Sequence, residues 1–370
     1  MGCCYSPPTM LFVNEEEKQA NAEIEQDTNK LKKLDELKFK LLLLGAGESG
    51  KSTLLRQMRK VHGMEFGNEE LLEIKPHLQQ NVMESMKTLC MWSKILYDQG
   101  KMDTKVSDDN IELRDKISSI YDKGSFTEEL HNEFKILLDD DGIKNTIKYK
   151  PQYQLIDTWE YLFSRMHLFY NDDFIPTFKD LIHCRQRTVG VQKLRFQLKN
   201  NKNNSISEVY EIFDVGGQKN ERRKWFDFFD NTTAILYVAA LSGYNQLLWE
   251  DQKNNRMRES IGIFRGIINM ETFKDTHMIL FLNKIDLFRE RIKKYPVTDY
   301  FKTFKGDIYD ENEIINYFKN KFLAQRQGNA KNKPIFVHIT HATNTQSVET
   351  IFNCVRDVVV STELENQGFL

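Results

Sequence analysis

The sequence predicts an α/β fold: a mixed, mostly parallel six-stranded sheet with an all-helical domain inserted into it. Three observations carry this. Short, nearly continuous apolar runs alternate with helical stretches late in the chain, and one more such run lies near its start. Between them, about 120 residues place apolar side chains only at helical spacing. The Asn-rich turn Asn200–Asn204 joins two strand-like runs and makes one sheet edge antiparallel.

The bulk numbers agree with a globular chain. There are 370 residues, 40% hydrophobic and 29% charged, enough apolar mass for a real core. A formal net charge of −2 gives no global field to attract nucleic acid, so none is expected as a partner. No 18-residue apolar run exists, which excludes a transmembrane helix. The five cysteines (Cys3, Cys4, Cys90, Cys184 and Cys354) are scattered and lack zinc spacing, as in a reducing compartment.

The elements follow in order. Glu15–Lys38 reads as one polar helix, acidic first and basic later, an order that suits the helix dipole. Its apolar stripe of Ala20, Ile24, Leu31 and Leu34 is thin, so it needs a partner surface or a membrane. Lys38–Gly45 is a strand, followed by a turn and a helix from Lys51 to about Arg59. A helix then runs through Leu71, Ile74, Leu78, Val82, Met86, Leu89 and Leu96, with Pro76 near its start or at a kink. Further helical segments cover Asp109–Tyr121, Thr127–Asp139 and Tyr153–Phe169. Strands return at Val191–Leu198, Ser207–Phe213, Ala234–Ala239, Met278–Leu282 and Ile335–Ile339. A last helix packs Val348, Ile351, Phe352, Val355 and Val359 against the sheet.

Four segments carry chemistry. Gly45-Ala46-Gly47-Glu48-Ser49-Gly50-Lys51-Ser52 matches G-x-x-x-x-G-K-[ST] between a strand and a helix. Its backbone N–H groups and helix N-terminus suit phosphate oxygens, Lys51 the β- and γ-phosphates, and Ser52 a Mg²⁺ ion. Asn283-Lys284-Ile285-Asp286 follows a strand, and the Asp286 carboxylate can accept from guanine N1–H and N2–H₂, a pairing that adenine cannot make. Asp214-Val215-Gly216-Gly217-Gln218 follows another strand. Asp214 can hold Mg²⁺ through water, Gly217 N–H can meet the γ-phosphate, and Gln218 can orient an attacking water. Arg185-Gln186-Arg187-Thr188 leaves the helical stretch, with Thr188 as a further Mg²⁺ ligand and Arg185 as neutraliser of charge on the γ-phosphate. Thr340-His341-Ala342-Thr343 offers a backbone N–H for guanine O6.

Together these segments resemble the alpha subunit of heterotrimeric G proteins over nearly the whole chain. GAGESGKST, DVGGQ followed by ERRKW, FLNKIDLF and THAT stand in that family's order, and 136 residues separate Ser52 from Thr188, room for an inserted domain. The resemblance implies a Ras-like P-loop GTPase domain at 38–62 and 184–370, a helical domain at 63–183 and an N-terminal segment at 1–37. It implies a GTP/GDP switch that couples a receptor to effectors and resets by hydrolysis, with Arg185 and Gln218 catalytic and Glu48 pairing with Arg185 in the GDP state. Nucleotide binding is implied for Glu48, Ser49, Gly50, Lys51, Ser52, Thr53, Asp157, Arg185, Thr188, Gly217, Asn283, Lys284, Asp286 and Ala342. It implies a Mg²⁺ site at Ser52, Thr188 and, through water, Asp214. Departures from the family pattern are Val189 for a threonine, Lys219-Asn220 for Arg-Ser, His341 for a cysteine and Asn344 for an aspartate. The tail Gln367-Gly368-Phe369-Leu370 lacks the cysteine that some members carry.

Met1-Gly2-Cys3-Cys4-Tyr5-Ser6 fits the N-myristoylation pattern at Gly2, and Cys3 and Cys4 are candidates for palmitoylation, since stable anchoring takes a second chain. The expected partners are a beta-gamma dimer on Glu15–Lys38 and the second switch (about Gly217–Phe228), a seven-helix receptor at the tail, effectors and a GTPase-accelerating protein. The expected place is the cytoplasmic face of the plasma membrane. The alternatives are a nucleotide-binding scaffold without significant turnover, left open by Val189 and Lys219, and a metabolic phosphotransferase.

Overall fold

A computed structural model describes residues 36–120, 125–199, 207–248, 250 and 253–366. Six strands form one sheet: β1 (Glu36–Leu44), β2 (Val191–Lys199), β3 (Ser207–Val215), β4 (Ala234–Ala240), β5 (His277–Asn283) and β6 (Ile335–Ile339), in the order β2-β3-β1-β4-β5-β6. The pairs β1–β4, β4–β5 and β5–β6 are parallel, with Leu41 opposite Ala234, Ala234 opposite His277 and Met278 opposite Ile335. Leu41–Leu44 and Ala234–Ala239 are fully buried, as expected of parallel strands covered on both faces.

The helices are α1 (Lys51–Val61), α2 (Asn68–Leu72), α3 (Lys75–Asp98), α4 (Ile111–Ser118), α5 (Glu128–Asp139), α6 (Asp141–Lys148), α7 (Trp159–Phe169), α8 (Phe178–His183), α9 (Arg256–Ile268), α10 (Ile285–Ile292), α11 (Val297–Tyr300), α12 (Glu311–Leu323) and α13 (Thr345–Asn366). The periodic run from Leu71 to Leu96 is thus two helices, and Pro76 sits in the first turn of α3, where its missing N–H costs nothing. The expected helix Glu15–Lys38 is corrected at its end. Glu36–Lys38 belongs to β1, and the exposed Lys38 between buried Leu37 and Phe39 shows the strand period. The rest of that segment and the turn Asn200–Asn204 lie outside the described residues. The expected helix Tyr153–Phe169 begins only at Trp159, because Tyr153–Ile156 is a non-helical segment buried on all sides.

Two compact units are distinguishable: residues up to Phe39 with Arg195–Glu211, and Lys40–Leu194 with Ile212–Leu370. In the smaller one Tyr210 stacks on Phe39 and on Phe196, with ring centroids 5.1 and 5.3 Å apart. The larger holds two apolar clusters. One surrounds β4 and β5 and includes Phe264, Phe288, Phe318 and Phe322; the other is built from Leu71 to Cys184, including Leu78, Phe134 and Phe169. Among the described residues no helix is long and apolar enough to cross a membrane.

Asp140 ties the start of α6 to the loop at Ser107–Asn110. Its carboxylate caps α6 through Gly142 N–H at 2.8 Å and accepts from Ser107 N–H, Ser107 Oγ and Asn110 Nδ2 at 2.7–3.0 Å. Asp140→Ala strands these donors, so we expect a loss of about 3 kcal/mol, read as a lower urea midpoint of the helical signal.

Candidate functional site

The segments singled out in the sequence converge because parallel strands deliver their following loops to one edge of the sheet. The loop after β1, the loop after β5 and the loop after β6 all line one cavity of about 300 Å³, within the range of small-molecule sites. Every residue expected to touch nucleotide lines it, from Glu48 through Thr53 to Ala342, together with Gln218 and Arg185. Gly2, Cys3 and Cys4 lie outside the described residues.

The phosphate loop is shaped by backbone that only selected residues accept. Gly45 and Gly50 have φ of 146° and 101°, and a Cβ on Gly50 would lie 2.3 Å from Asn283 Nδ2. Glu48 holds φ 60°, a strained value for a residue with a side chain. Lys51 Nζ donates to Gly45 O and Ala46 O at 3.1 and 3.0 Å. A Cβ on Gly217 would lie 2.3 Å from that ammonium and 2.5 Å from Gly45 O, so the chain can pass there only as glycine. Burial pushes the Lys51 ammonium down to about 8, with Asp214 opposing, and burial pushes the Asp214 carboxyl up. Burial works against the charged form of both groups, so an anionic ligand would stabilise the Lys51 ammonium.

Beside Lys51, Ser52 Oγ lies 2.7 Å from Thr188 Oγ1 and donates to Asp214 Oδ2 at 2.5 Å. Asp214 Oδ1 is buried without a hydrogen-bond partner. Two hydroxyls and one carboxylate are hard oxygen donors of the kind Mg²⁺ takes through its waters. Among the described residues no group of three or more His, Cys, Asp or Glu side chains gathers to hold a metal. Val189, beside Thr188, is 78% exposed and does not line the cavity.

Arg185 pairs with Glu48 at 2.6 Å, and Glu48 also pairs with Arg256 of α9 at 3.1 Å. Burial works to raise the Glu48 carboxyl, but Arg185, Arg256 and Lys284 outweigh it and hold it low. The backbone of Arg185 is gripped twice by buried Asn81 of α3, whose Oδ1 accepts from Arg185 N–H at 2.7 Å and whose Nδ2 donates to Arg185 O at 3.1 Å. Arg56 of α1 donates to Leu181 O at 2.9 Å and to Gln186, fixing the same exit segment. The stretch from Gly216 to Phe228 is pinned by Trp225 Nε1 donating to Gly216 O at 2.8 Å and by Arg222 pairing with Glu259 at 2.7 Å.

On the base side, Asn283 is buried; its Nδ2 donates to Ser49 O at 2.9 Å, and its Oδ1 accepts from Thr340 Oγ1 at 3.0 Å and from Ala342 N–H at 3.1 Å. Of the backbone N–H groups in the loop Thr340–Thr343, that of Ala342 is thus already bonded to Asn283. Lys284, in left-handed backbone at φ 62°, pairs with Asp157 at 2.7 Å, and Arg291 of α10 pairs with the other Asp157 oxygen at 2.5 Å. Burial works to raise Asp157, yet Lys284 and Arg291 hold it well below the usual carboxylate range. Gln57 of α1 donates to Thr343 O at 3.0 Å and accepts from Thr345 Oγ1 at 2.9 Å, joining the phosphate-loop helix to the last loop. Sequence reasoning missed Asn81, Arg56, Gln57, Arg256 and Arg291. Only their reach across the chain reveals them, and that leaves no local pattern.

Asp157→Ala leaves Lys284 and Arg291 facing one another without their anion, and breaking a buried pair costs roughly 3–5 kcal/mol. Hydrogen exchange in the segment Tyr153–Thr158 should rise sharply in this variant, and much less in Asp157→Asn, which keeps an acceptor.

The geometry agrees with comparison to known proteins. The family model described as G-protein alpha subunit matches residues 14–359. The chain is 36% identical over 351 residues to a guanine nucleotide-binding protein alpha-1 subunit of Caenorhabditis elegans, covering 94% of this chain and 95% of that one. It is also 36% identical over 331 residues to the guanine nucleotide-binding protein G(o) subunit alpha of the same organism and to that of Planorbella trivolvis, covering 89% of this chain and 90% of each relative. The chain therefore belongs to the G-protein alpha-subunit family, the GTPases of signal transduction.

Proposed function

We propose that the cavity holds GTP and GDP with a Mg²⁺ ion, and that the chain switches between the two by hydrolysing GTP at residues Gln218 and Arg185. The observation that carries this is a single cavity lined by Lys51, Ser52, Gly217 and Gln218 together with Asn283, Lys284 and Asp286. It gathers phosphate-type and guanine-type groups, and no sequence neighbourhood joins them. The relatives' names, guanine nucleotide-binding protein, point the same way.

In this reading Lys51 and the N–H groups of Glu48–Thr53 bind phosphates, and Gly217 N–H takes the γ-phosphate. Asp286 accepts from the base, Asn283 holds the three loops in register, and Lys284 with Asp157 closes the helical side. The unpartnered Asp214 Oδ1 beside Ser52 and Thr188 fits a hydrated Mg²⁺, whose charge, when bound, offsets that of the phosphate oxygens. Gln218 orients the attacking water. Arg185 leaves Glu48 to neutralise charge on the transferring phosphoryl group.

We further propose the domain division 1–37, 38–62 with 184–370, and 63–183, which the separate apolar cluster of Leu71–Cys184 supports. Phe226 is 62% exposed within a 3₁₀ segment, Arg222–Phe228, whose neighbour Trp225 is buried. We assign this segment, part of the second switch, to contact with a beta-gamma dimer and with effectors in turn. The receptor, the GTPase-accelerating protein and anchoring through myristoyl Gly2 with palmitoyl Cys3 or Cys4 at the cytoplasmic face of the plasma membrane follow from the same reading.

A single-turnover assay with labelled GTP tests the core of it. Gln218→Leu and Arg185→Cys should each slow hydrolysis by on the order of 10²-fold or more while GTP still binds. A parent-like rate in Gln218→Leu would remove its water-positioning role, and no turnover in the parent chain would favour a nucleotide-holding scaffold.

A further inference from the structure

His341 carries the chain's own variation on the guanine loop. Its Nε2 lies 3.1 Å from Asp286 Oδ2 and 2.7 Å from Thr343 Oγ1. Both His341 and Asp286 line the cavity, and both side chains are 35% exposed. The other carboxylate oxygen, Oδ1, is buried. The imidazole thus covers one of the two carboxylate oxygens that a guanine would meet with its N1–H and N2–H₂ donors.

We propose that His341 is an internal competitor for the guanine-reading carboxylate, so that guanine nucleotide binds by displacing the imidazole from Asp286 and is released faster when the imidazole is protonated. The proposal rests on Asp286 being the guanine acceptor. It makes His341 an affinity-setting residue.

The surrounding charged groups each have a nearer partner, although His183 and Arg289 also feel the Asp286 carboxylate. Lys284, from the same loop, pairs with Asp157 at 2.7 Å. Arg289, one turn along α10, pairs with Glu311 at 2.9 Å. His183, at the end of α8, has its Nδ1 2.7 Å from Lys179 O and its ring stacked on Tyr161. Of these, Arg289 works against a charge on His341. The hydrogen bond to Asp286 raises the imidazole above its ordinary value and prevails over burial, while burial works to raise Asp286 and His341 holds it down.

The sign follows from linkage. The extra grip of a charged imidazole on Asp286 is fully present below the ordinary histidine value and is lost as pH rises through the raised one. A guanine base that takes the carboxylate removes this partner, so the imidazole's hold on its proton drops back toward the ordinary value on binding. Nucleotide affinity must then fall as pH falls. One linked proton limits the change to about tenfold per pH unit.

The test is release of a fluorescent GDP analogue from the full-length, GDP-loaded protein at about pH 8 and about pH 6. The parent should release nucleotide severalfold faster at the lower pH. His341→Cys and His341→Gln should release it at rates within about twofold of each other at the two pH values, and more slowly than the parent at the lower one. Variants that keep the parent's ratio, or that lose nucleotide faster than the parent at low pH, overturn the proposal. An ADP analogue run alongside separates the two levels. Equal retention of ADP and GDP sinks the assignment of Asp286, whereas GDP selectivity with pH-independent release sinks only the role of His341.

Discussion

Three loops from distant parts of the chain meet at the side-chain amide of Asn283. It donates to the phosphate loop at Ser49 and accepts from Thr340 and Ala342 in the last loop, while its own backbone ends β5. A buried amide with its bonds filled is inexpensive, but each bond lost strands a group that water cannot reach. The amide therefore fixes the spacing between the loops after β1, β5 and β6, and the cavity exists because that spacing is held. Gly50 is the other half of the fit, since any Cβ there would collide with the same amide.

Around this pin the site is a set of opposed charges held in a partly dry cleft. Glu48 sits between Arg185 and Arg256, and Asp157 between Lys284 and Arg291. In each case one carboxylate serves two cations, and one of the two comes from a helix packed on the sheet. Such clusters gain little net stability, but they make the position of each member depend on the others. Arg185 is doubly constrained, by Glu48 through its side chain and by Asn81 through its backbone.

Much of this was legible in the sequence, and the reason differs from element to element. The phosphate loop, Asn283–Asp286 and Asp214–Gln218 are contiguous motifs whose spacing is set by one turn each, so reading along the chain finds them. The strands Ala234–Ala240 and His277–Asn283 announce themselves because burial on both faces leaves no polar position. Asn81, Arg56 and Gln57 do not, since a polar side chain in mid-helix looks the same whether it meets solvent or a carbonyl more than 100 positions away. The helix expected over Tyr153–Phe169 starts late because Tyr153–Ile156 is buried non-helical chain, and beside it Gln154 and Asp157 take partners far along the sequence, Leu247 and Lys284. The pairing of His341 with Asp286 joins two motifs that were read separately, and neither alone hinted at it.

The order of the strands sets a timetable for synthesis. β1 is made first among the described strands, yet its parallel neighbour β4 lies 193 positions later, where Thr233 receives the backbone N–H of Lys40. At translation speeds of about 5–20 residues per second, the all-apolar run Leu41–Leu44 waits roughly 10–40 s for its parallel neighbour, with β3, its neighbour on the other side, made only shortly before. The intervening residues from Leu71 to Cys184 close their own apolar cluster without help from the sheet. The insertion can thus fold while β1 is still unpaired, and a nascent chain stalled between the two would expose a sticky strand beside a finished helical body, the species a holding chaperone would recognise.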